Sequence, residues 1–245
     1  MRPFHHPHLH GLEVWQGIAR HATLDQLRHD KPAYFAGLDE FLCQLHAGSA
    51  RTAGGDLLGP AAGFERLLLA GGDAAEAAST LRWPNELAAP GPFALRAGAE
   101  AIWHEQGWRN PIAIDLGQTR LKILTPHANR AVERDEAHLP FGRTALPEAK
   151  GRARLREWLR AHLPAEFDGV LLALPNAISP TGVAESSTYP GLYGPVESIF
   201  AGLFADAPVI YGNDAILTAR GYPPADHEKT LLLTLGFGVG AALWC

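Results

Sequence analysis

The 245-residue chain contains no apolar run approaching the roughly 20 residues that a membrane-spanning helix needs. It shows no signal-peptide pattern, so a helical membrane span is excluded and a cytoplasmic location is the expectation. Cysteine is nearly absent: Cys43 and Cys245 form neither a disulfide framework nor a zinc-ligand spacing. Lysine is scarce too, with four among the 21 basic residues. There is no long basic run, and the net charge is −5, which excludes the electrostatic footprint of a nucleic-acid partner. What remains is ordinary globular composition, 47% hydrophobic and 19% charged, with length enough for one large domain or two smaller lobes.

The most informative stretch covers residues 111–124, Pro-Ile-Ala-Ile-Asp-Leu-Gly-Gln-Thr-Arg-Leu-Lys-Ile-Leu. An apolar run ends in Asp115, a polar turn carries Gly117 and Thr119, and a second apolar run holds Lys122. This pattern predicts two antiparallel strands joined by a glycine turn. Gly117 would let backbone N–H groups approach an anion closely. Thr119 adds a hydroxyl, Lys122 a point charge, and Asp115 a carboxylate able to hold Mg²⁺ through water. The plain alternative is an ordinary hairpin with an acid at its edge.

Other segments fall around it. Residues 230–235 form an apolar run that enters Gly236-Phe237-Gly238-Val239-Gly240 and leaves through 241–244, a second glycine hairpin. Residues 64–70 predict a buried strand ending in Gly71-Gly72 before a helix at 74–81, where a flat ligand could pass close to the backbone. Residues 170–174 predict a strand ending in Pro175-Asn176, and ligands bind at such carboxyl ends in open α/β sheets. Residues 208–211 predict a strand broken by Gly212-Asn213-Asp214, with a helix starting at 215. Asp214 at that junction is either a general base facing a cleft or a helix cap.

Helical periodicity is expected over residues 12–28, 35–45, 93–104 and 196–204. A further surface helix ends at 163, with Arg152, Arg154, Arg156 and Arg160 as a solvated face. The start of the chain carries His5, His6, His8 and His10. Four imidazoles this close could bind zinc or nickel, but no carboxylate or Cys completes the set, so a polar leading segment is the preferred reading.

Taken together, the Asp115 hairpin, Gly236–Gly240 and Gly71-Gly72 resemble the two phosphate motifs and the adenosine motif of actin-like ATPases. Val209-Ile-Tyr-Gly-Asn213-Asp214-Ala215 and residues 230–243 are similar to segments of the ROK group (repressors, open reading frames, kinases), which includes glucokinases and polyphosphate glucokinases. The resemblance implies an α/β, two-lobed actin-like ATPase fold of the ribonuclease H-like kind. Residues 1–90 plus 227–245 would form one lobe and residues 91–226 the other. It implies ATP-dependent phosphoryl transfer to a sugar hydroxyl, with Asp214 as catalytic base. ATP would be held by Asp115, Gly117, Thr119, Lys122, Gly236, Gly238, Gly240, Gly71 and Gly72, and Mg²⁺ by Asp115. Asn213, Pro175, Asn176, Thr188 and His8 would border the sugar. A small-molecule sugar is the implied partner, with a homodimer as one assembly and neither nucleic acid nor membrane.

The order of motifs departs from that group, whose first phosphate motif opens the chain and whose adenosine motif lies near its end. A circular permutation, with the break after Trp244 and the sequence resuming at Met1, accounts for this, since permutation is tolerated where ends meet at surface turns. On that reading His8 matches a sugar-binding His and His5 stands where the group has Glu. The cysteine-rich zinc motif of the group is absent. Phe237 replaces the usual Thr of the second phosphate motif, Thr188 an Asn, and Leu192 a Trp, while residues 125–167 match nothing in the group. These departures leave a second expectation, a catalytically weak or inactive nucleotide- or sugar-binding protein of the same fold. A histidine-based metal-binding module is the third.

Overall fold

A computed structural model describes residues 1–12, 30–50, 62–142, 144–184, 189–225, 228–236 and 238–245. In chain order the strands are β1 (Arg2–Pro3), β2 (Leu9–Leu12), β3 (Arg66–Gly71), β4 (Glu86–Pro90), β5 (Pro111–Leu116), β6 (Arg120–Leu124), β7 (Asn129–Glu133), β8 (Gly169–Leu174), β9 (Val183–Ala184), β10 (Gly194–Pro195), β11 (Val209–Asn213), β12 (Thr230–Leu235) and β13 (Val239–Trp244). The helices are α1 (Lys31–His46), α2 (Ala74–Thr80), α3 (Arg96–Gln106), α4 (Glu148–Arg160), α5 (Val196–Ile199) and α6 (Asp214–Ala219). Apart from Leu12, which ends β2, the helix expected over 12–28 lies outside the described residues.

The chain divides into two compact units. The first comprises Met1–His5 and Gly98–Leu217, the second His6–Ala97 and Thr218–Cys245. This division differs from the sequence expectation at three places. Residues 1–5 join the first unit because β1 pairs in parallel with β11, Arg2 beside Ile210 and Pro3 beside Tyr211. Residues 91–97 and 218–226, expected in the first, fall in the second.

The first unit is built on a six-stranded sheet in the order β1-β11-β8-β5-β6-β7. β5, β6 and β7 form an antiparallel meander, and β8 and β11 continue in parallel on the other side of β5. Every residue of β5 and of β8 is buried, as a central parallel strand covered on both faces requires. β7, Asn-Arg-Ala-Val-Glu, is mostly exposed, and its charges guard an open sheet edge. The second unit carries a five-stranded sheet in the order β2-β13-β12-β3-β4. Here β12, β13 and β2 are the antiparallel meander, and β3 and β4 continue in parallel beyond β12. The two sheets therefore share a five-strand order, a meander followed by two parallel strands on its far side, to which the first sheet adds β1 in parallel beyond β11. The protein is an α/β fold of two units, each built on a mixed sheet of the ribonuclease H-like kind that the sequence resemblance led us to expect. In the second unit the meander draws on both ends of the chain, with Trp244 opposite Leu9.

Each unit has its own core. In the first, Ile112, Ile114, Leu172 and Leu174 pack with Trp158, Leu159, Phe200 and Tyr211. In the second, Leu67, Leu69, Leu231 and Leu233 pack with Phe35, Leu38, Phe41 and Leu42 of α1. α1 begins where Asp30 accepts from the Ala33 N–H at 3.1 Å, with Pro32 in the first turn, where its missing N–H costs nothing.

Several expectations need correction. The histidine-rich start, expected as a polar leading segment, contributes a strand to each sheet, β1 beside β11 and β2 beside β13. The strand at 208–211 is not broken at Gly212 but continues to Asn213 beside Leu174 of β8. The helix expected at 196–204 stops at Ile199. Arg156 takes the carbonyls of Ser198 and Ile199, and Gly202 and Ala205 then adopt positive φ. The arginines of α4 are likewise no simple solvated face. Arg152 donates to the carbonyls of Gly191 and Tyr193, Arg154 to that of His138, and Arg156 to the pair just named. α4 lies so close to the 190–191 turn that a Cβ at Gly151 would overlap the Pro190 carbonyl. The unassigned stretch 125–167 thus contains an edge strand and a helix that anchors a loop.

At the end of β3, Gly71 has φ +102°, and a Cβ there would overlap the Leu235 carbonyl. Gly71→Ala is expected to destabilise the protein by about 3 kcal/mol, combining backbone strain with overpacking. Chemical denaturation measures this, and an unchanged midpoint would refute the close packing of β3 on β12.

Candidate functional site

The candidate site of the first unit lies at the carboxyl ends of β5, β8 and β11. Asp115 is the fifth residue of β5, with Ala173 of β8 beside it and Lys122 of β6 opposite. That register brings the Lys122 ammonium to 2.7 Å from Asp115 Oδ2. Asp115 is buried, and the Lys122 side chain keeps only 20% of its surface. Burial disfavours the Lys122 charge, but Asp115, by charge and hydrogen bond, and Asp214 by charge outweigh it, so its pKa is raised. Lys122, expected to face a phosphate, has its ammonium bonded to Asp115 and within the field of Asp214.

Asp214 opens α6 directly after β11. Burial is the main reason its pKa is pushed up to about 7, and the negative charge of Asp115 adds to this. The hydrogen bond from the Ala215 N–H, at 2.8 Å, and the charge of Lys122 oppose the shift. One ammonium thus serves two carboxylates. Asp115 holds the direct bond, and Asp214 is left able to take or give a proton near neutrality.

The asparagines beside it are engaged within the protein. Asn213 Oδ1 accepts from the N–H groups of Ala215 at 3.0 Å and Ile216 at 3.4 Å, and its Nδ2 donates to the Asn176 carbonyl. Capping α6 therefore falls to Asn213 as well as Asp214. Asn176 is 1% exposed; its Nδ2 donates to the Leu192 carbonyl at 2.9 Å, while its Oδ1 is buried with no partner among the described residues. Pro175, half-buried, sits between β8 and this residue. Thr188 lies outside the described residues.

The turn after β5 is tied down on its carbonyl side. The Tyr189 hydroxyl donates to the Gly117 carbonyl at 2.6 Å, Arg134 Nη1 to that of Gln118 at 3.2 Å, and the Arg134 N–H to that of Thr119 at 2.8 Å. Thr119 itself is exposed. Neither Arg134 nor Tyr189 was identified from sequence. Arg134 stands in the stretch without resemblance, and Tyr189 is only one residue of a Tyr-Pro-Gly turn.

In the second unit, Gly71 and Gly72 meet the β12 end of the glycine hairpin. The Asp73 N–H donates to the Leu235 carbonyl at 3.2 Å, and Ala70 is paired with Thr234. The Cβ positions of Gly72 and Gly236 face open space. Gly240 pairs with Thr234, and the Gly236 N–H donates to the Gly238 carbonyl. Phe237 lies outside the described residues. His8 is exposed, and its carbonyl accepts from the Cys245 N–H. The His6 ring packs edge-on against Trp244, at 4.5 Å between centroids. Among the described residues no group of three or more His, Cys, Asp or Glu could hold a metal ion, and no helix is long and apolar enough to cross a membrane.

No family model and no curated protein matches the chain. Solved structures similar to part of it include the following two. One is a ROK family protein from Streptococcus pneumoniae TIGR4 in complex with sucrose, 20% identical, covering 56% of this chain and 46% of that one, with a TM-score of 0.38. The other is the Lmo2764 protein from Listeria monocytogenes, assigned as an N-acetylmannosamine kinase, 21% identical, covering 56% of this chain and 47% of that one, with a TM-score of 0.39. The chain spans just under half the length of either. At these scores the likeness carries nothing further, and the strand order stands on its own.

The raised pKa of Asp214 fixes the sign of a pH effect. Between about pH 4, where an unfolded Asp titrates, and about pH 7 the folded protein holds a proton that the unfolded chain has lost. Stability from this group is therefore full at low pH and is lost as pH rises toward 7. In metal-free buffer, the melting temperature of the wild type is expected to fall over this range relative to Asp214→Asn, and parallel curves would contradict the assignment.

Proposed function

We propose that the protein is a sugar kinase of the ROK kind, transferring a phosphoryl group to a sugar hydroxyl, with Asp214 as the base. The observation that carries this reading is the Asp214 carboxyl, with its pKa pushed up to about 7 beside the Asp115–Lys122 pair. A base tuned near the operating pH is what proton removal from a hydroxyl demands. Asp214 would accept the acceptor's proton as its oxygen attacks phosphorus. Asn213, holding α6 and Asn176 together, would keep that carboxyl in place. Lys122 would stay bonded to Asp115, and the turn at 117–119 would offer N–H groups to the donor's phosphates. In the second unit, Gly71, Gly72, Gly236, Gly238 and Gly240 would let a nucleotide lie close to the backbone. His8 is proposed as a sugar contact.

Mg²⁺ fits the donor set at one remove. A single carboxylate, Asp115, already bonded through Oδ2 to Lys122, suits a metal that keeps its waters and takes its other ligands from phosphates. Bound there with ATP, it would neutralise charge on the transferring group. A binding protein with weak catalysis is the second reading, favoured by Phe237 in place of Thr in the glycine hairpin.

The chain order is proposed to be a circular permutation. The path β12-β13-β2-β3-β4 repeats β5-β6-β7-β8-β11 only when followed across the two chain ends.

The deciding experiment is a coupled ADP-release screen over sugars and amino sugars with ATP and Mg²⁺. At least one acceptor is expected to be phosphorylated, with Asp214→Asn lowering turnover by about a thousandfold or more while ATP still binds. Retained turnover in that variant removes Asp214 from the role of base. ATP binding without transfer to any acceptor favours the second reading.

A further inference from the structure

Arg134 is 6% exposed and spends its guanidinium on backbone. Nε donates to the Leu139 carbonyl at 2.8 Å, Nη2 to that of Pro140 at 2.9 Å, and Nη1 to that of Gln118 at 3.2 Å. The guanidinium carbon lies 3.7 Å from the centre of the Tyr189 ring and 4.1 Å from that of Phe141. The hydroxyl of the same Tyr189 reaches the Gly117 carbonyl. The stacked Arg134 and Tyr189 side chains therefore hold the carbonyls of residues 117 and 118, and the Arg134 backbone N–H holds that of residue 119.

This grip has a stereochemical consequence. In a trans peptide, each N–H points opposite to the carbonyl of the preceding residue, and the described residues contain no cis peptide bond. With the Gly117 and Gln118 carbonyls drawn inward, the N–H groups of Gln118 and Thr119 are aimed the other way. Successive N–H groups turned to one side make an anion-binding concavity. A lysine could not do this work, because it lacks the planar fork that reaches separate carbonyls while lying between two rings.

We propose that Arg134 and Tyr189 are positioning residues of the phosphate turn, holding its carbonyls inward so that its N–H groups face the phosphates of the donor. This rests on the phosphoryl-transfer reading. Neither side chain touches the donor; both act through the backbone of residues 117–119.

The test measures binding of tripolyphosphate by calorimetry, alongside acceptor kinetics, for the full chain and for Tyr189→Phe, Arg134→Lys and Arg134→Met. Tyr189→Phe keeps the ring against Arg134 and removes only the hydroxyl, so it decides the matter where an Arg134 variant does not fold. Tripolyphosphate is expected to bind about tenfold more weakly to Tyr189→Phe and to Arg134→Lys, the loss of one well-placed hydrogen bond. The acceptor KM should stay unchanged, which a general loosening of the fold would not spare. Unchanged tripolyphosphate affinity in Tyr189→Phe overturns the inference, as does a wild-type protein that does not bind tripolyphosphate. A wild type that binds it but phosphorylates no acceptor defeats the kinase reading alone and leaves the positioning role supported by the binding data.

Discussion

The bond between Lys122 and Asp115 is the constraint on which the first unit depends. Two charges held this far from water must be paired, and breaking such a pair costs far more than making it gains. The pair is also a register lock. Asp115 and Lys122 face each other across β5 and β6 in the same alignment that sets Ile114 against Ile123. A slip of one residue would turn the lysine to the opposite face and leave the acid buried alone. The hairpin thus fixes the length of its own turn, and residues 117–119 are presented at one defined place.

Asp214 inherits its character from that pair. It approaches the same ammonium from a different strand, after the bond to Lys122 has been taken by Asp115. The two acids are chemically alike, but only Asp115 is bonded directly to the ammonium, whereas the pKa of Asp214 is raised by burial and by its neighbour's charge. Divergence of this kind between neighbouring carboxyls is how an environment assigns acid and base roles. The six-residue α6 contributes through the Ala215 N–H, which moderates the shift rather than causing it.

Much of this was legible in the sequence, and the limit is physical. The Asp115 hairpin, β8, β12 and the glycine-ended strands could be read because their signals are local: period, apolar runs and turn residues. The arginine clamps could not be read. Arg134 reaches Tyr189, Arg152 reaches Tyr193 and Arg156 reaches Ile199, each across a long sequence separation. A guanidinium bonded to loop carbonyls looks, in sequence, like a charge on a solvated face. The scarcity of lysine was the overlooked clue, since a fork of donors in fixed geometry is what irregular backbone needs. β1 and β2 escaped for a different reason. They are two and four residues long, carry no apolar alternation, and owe their strand character to the edges they join.

The repeated strand order makes the two units a controlled comparison. At the turn after the first strand of the meander, the first unit places a buried acid just before the turn and a lysine just after it, with the turn carbonyls held by side chains. At the equivalent point the second unit has no charge among its described residues. It has Leu235 and then Gly236, with Gly71 packed so tightly against Leu235 that no side chain fits. One scaffold position thus carries a buried ion pair in one unit and a close backbone approach in the other. The strand order requires neither, because both turns would close with ordinary polar residues. The difference therefore lies in the turns themselves, and the buried, paired charge of the first unit, which also locks its register, marks that turn as the stronger candidate functional site.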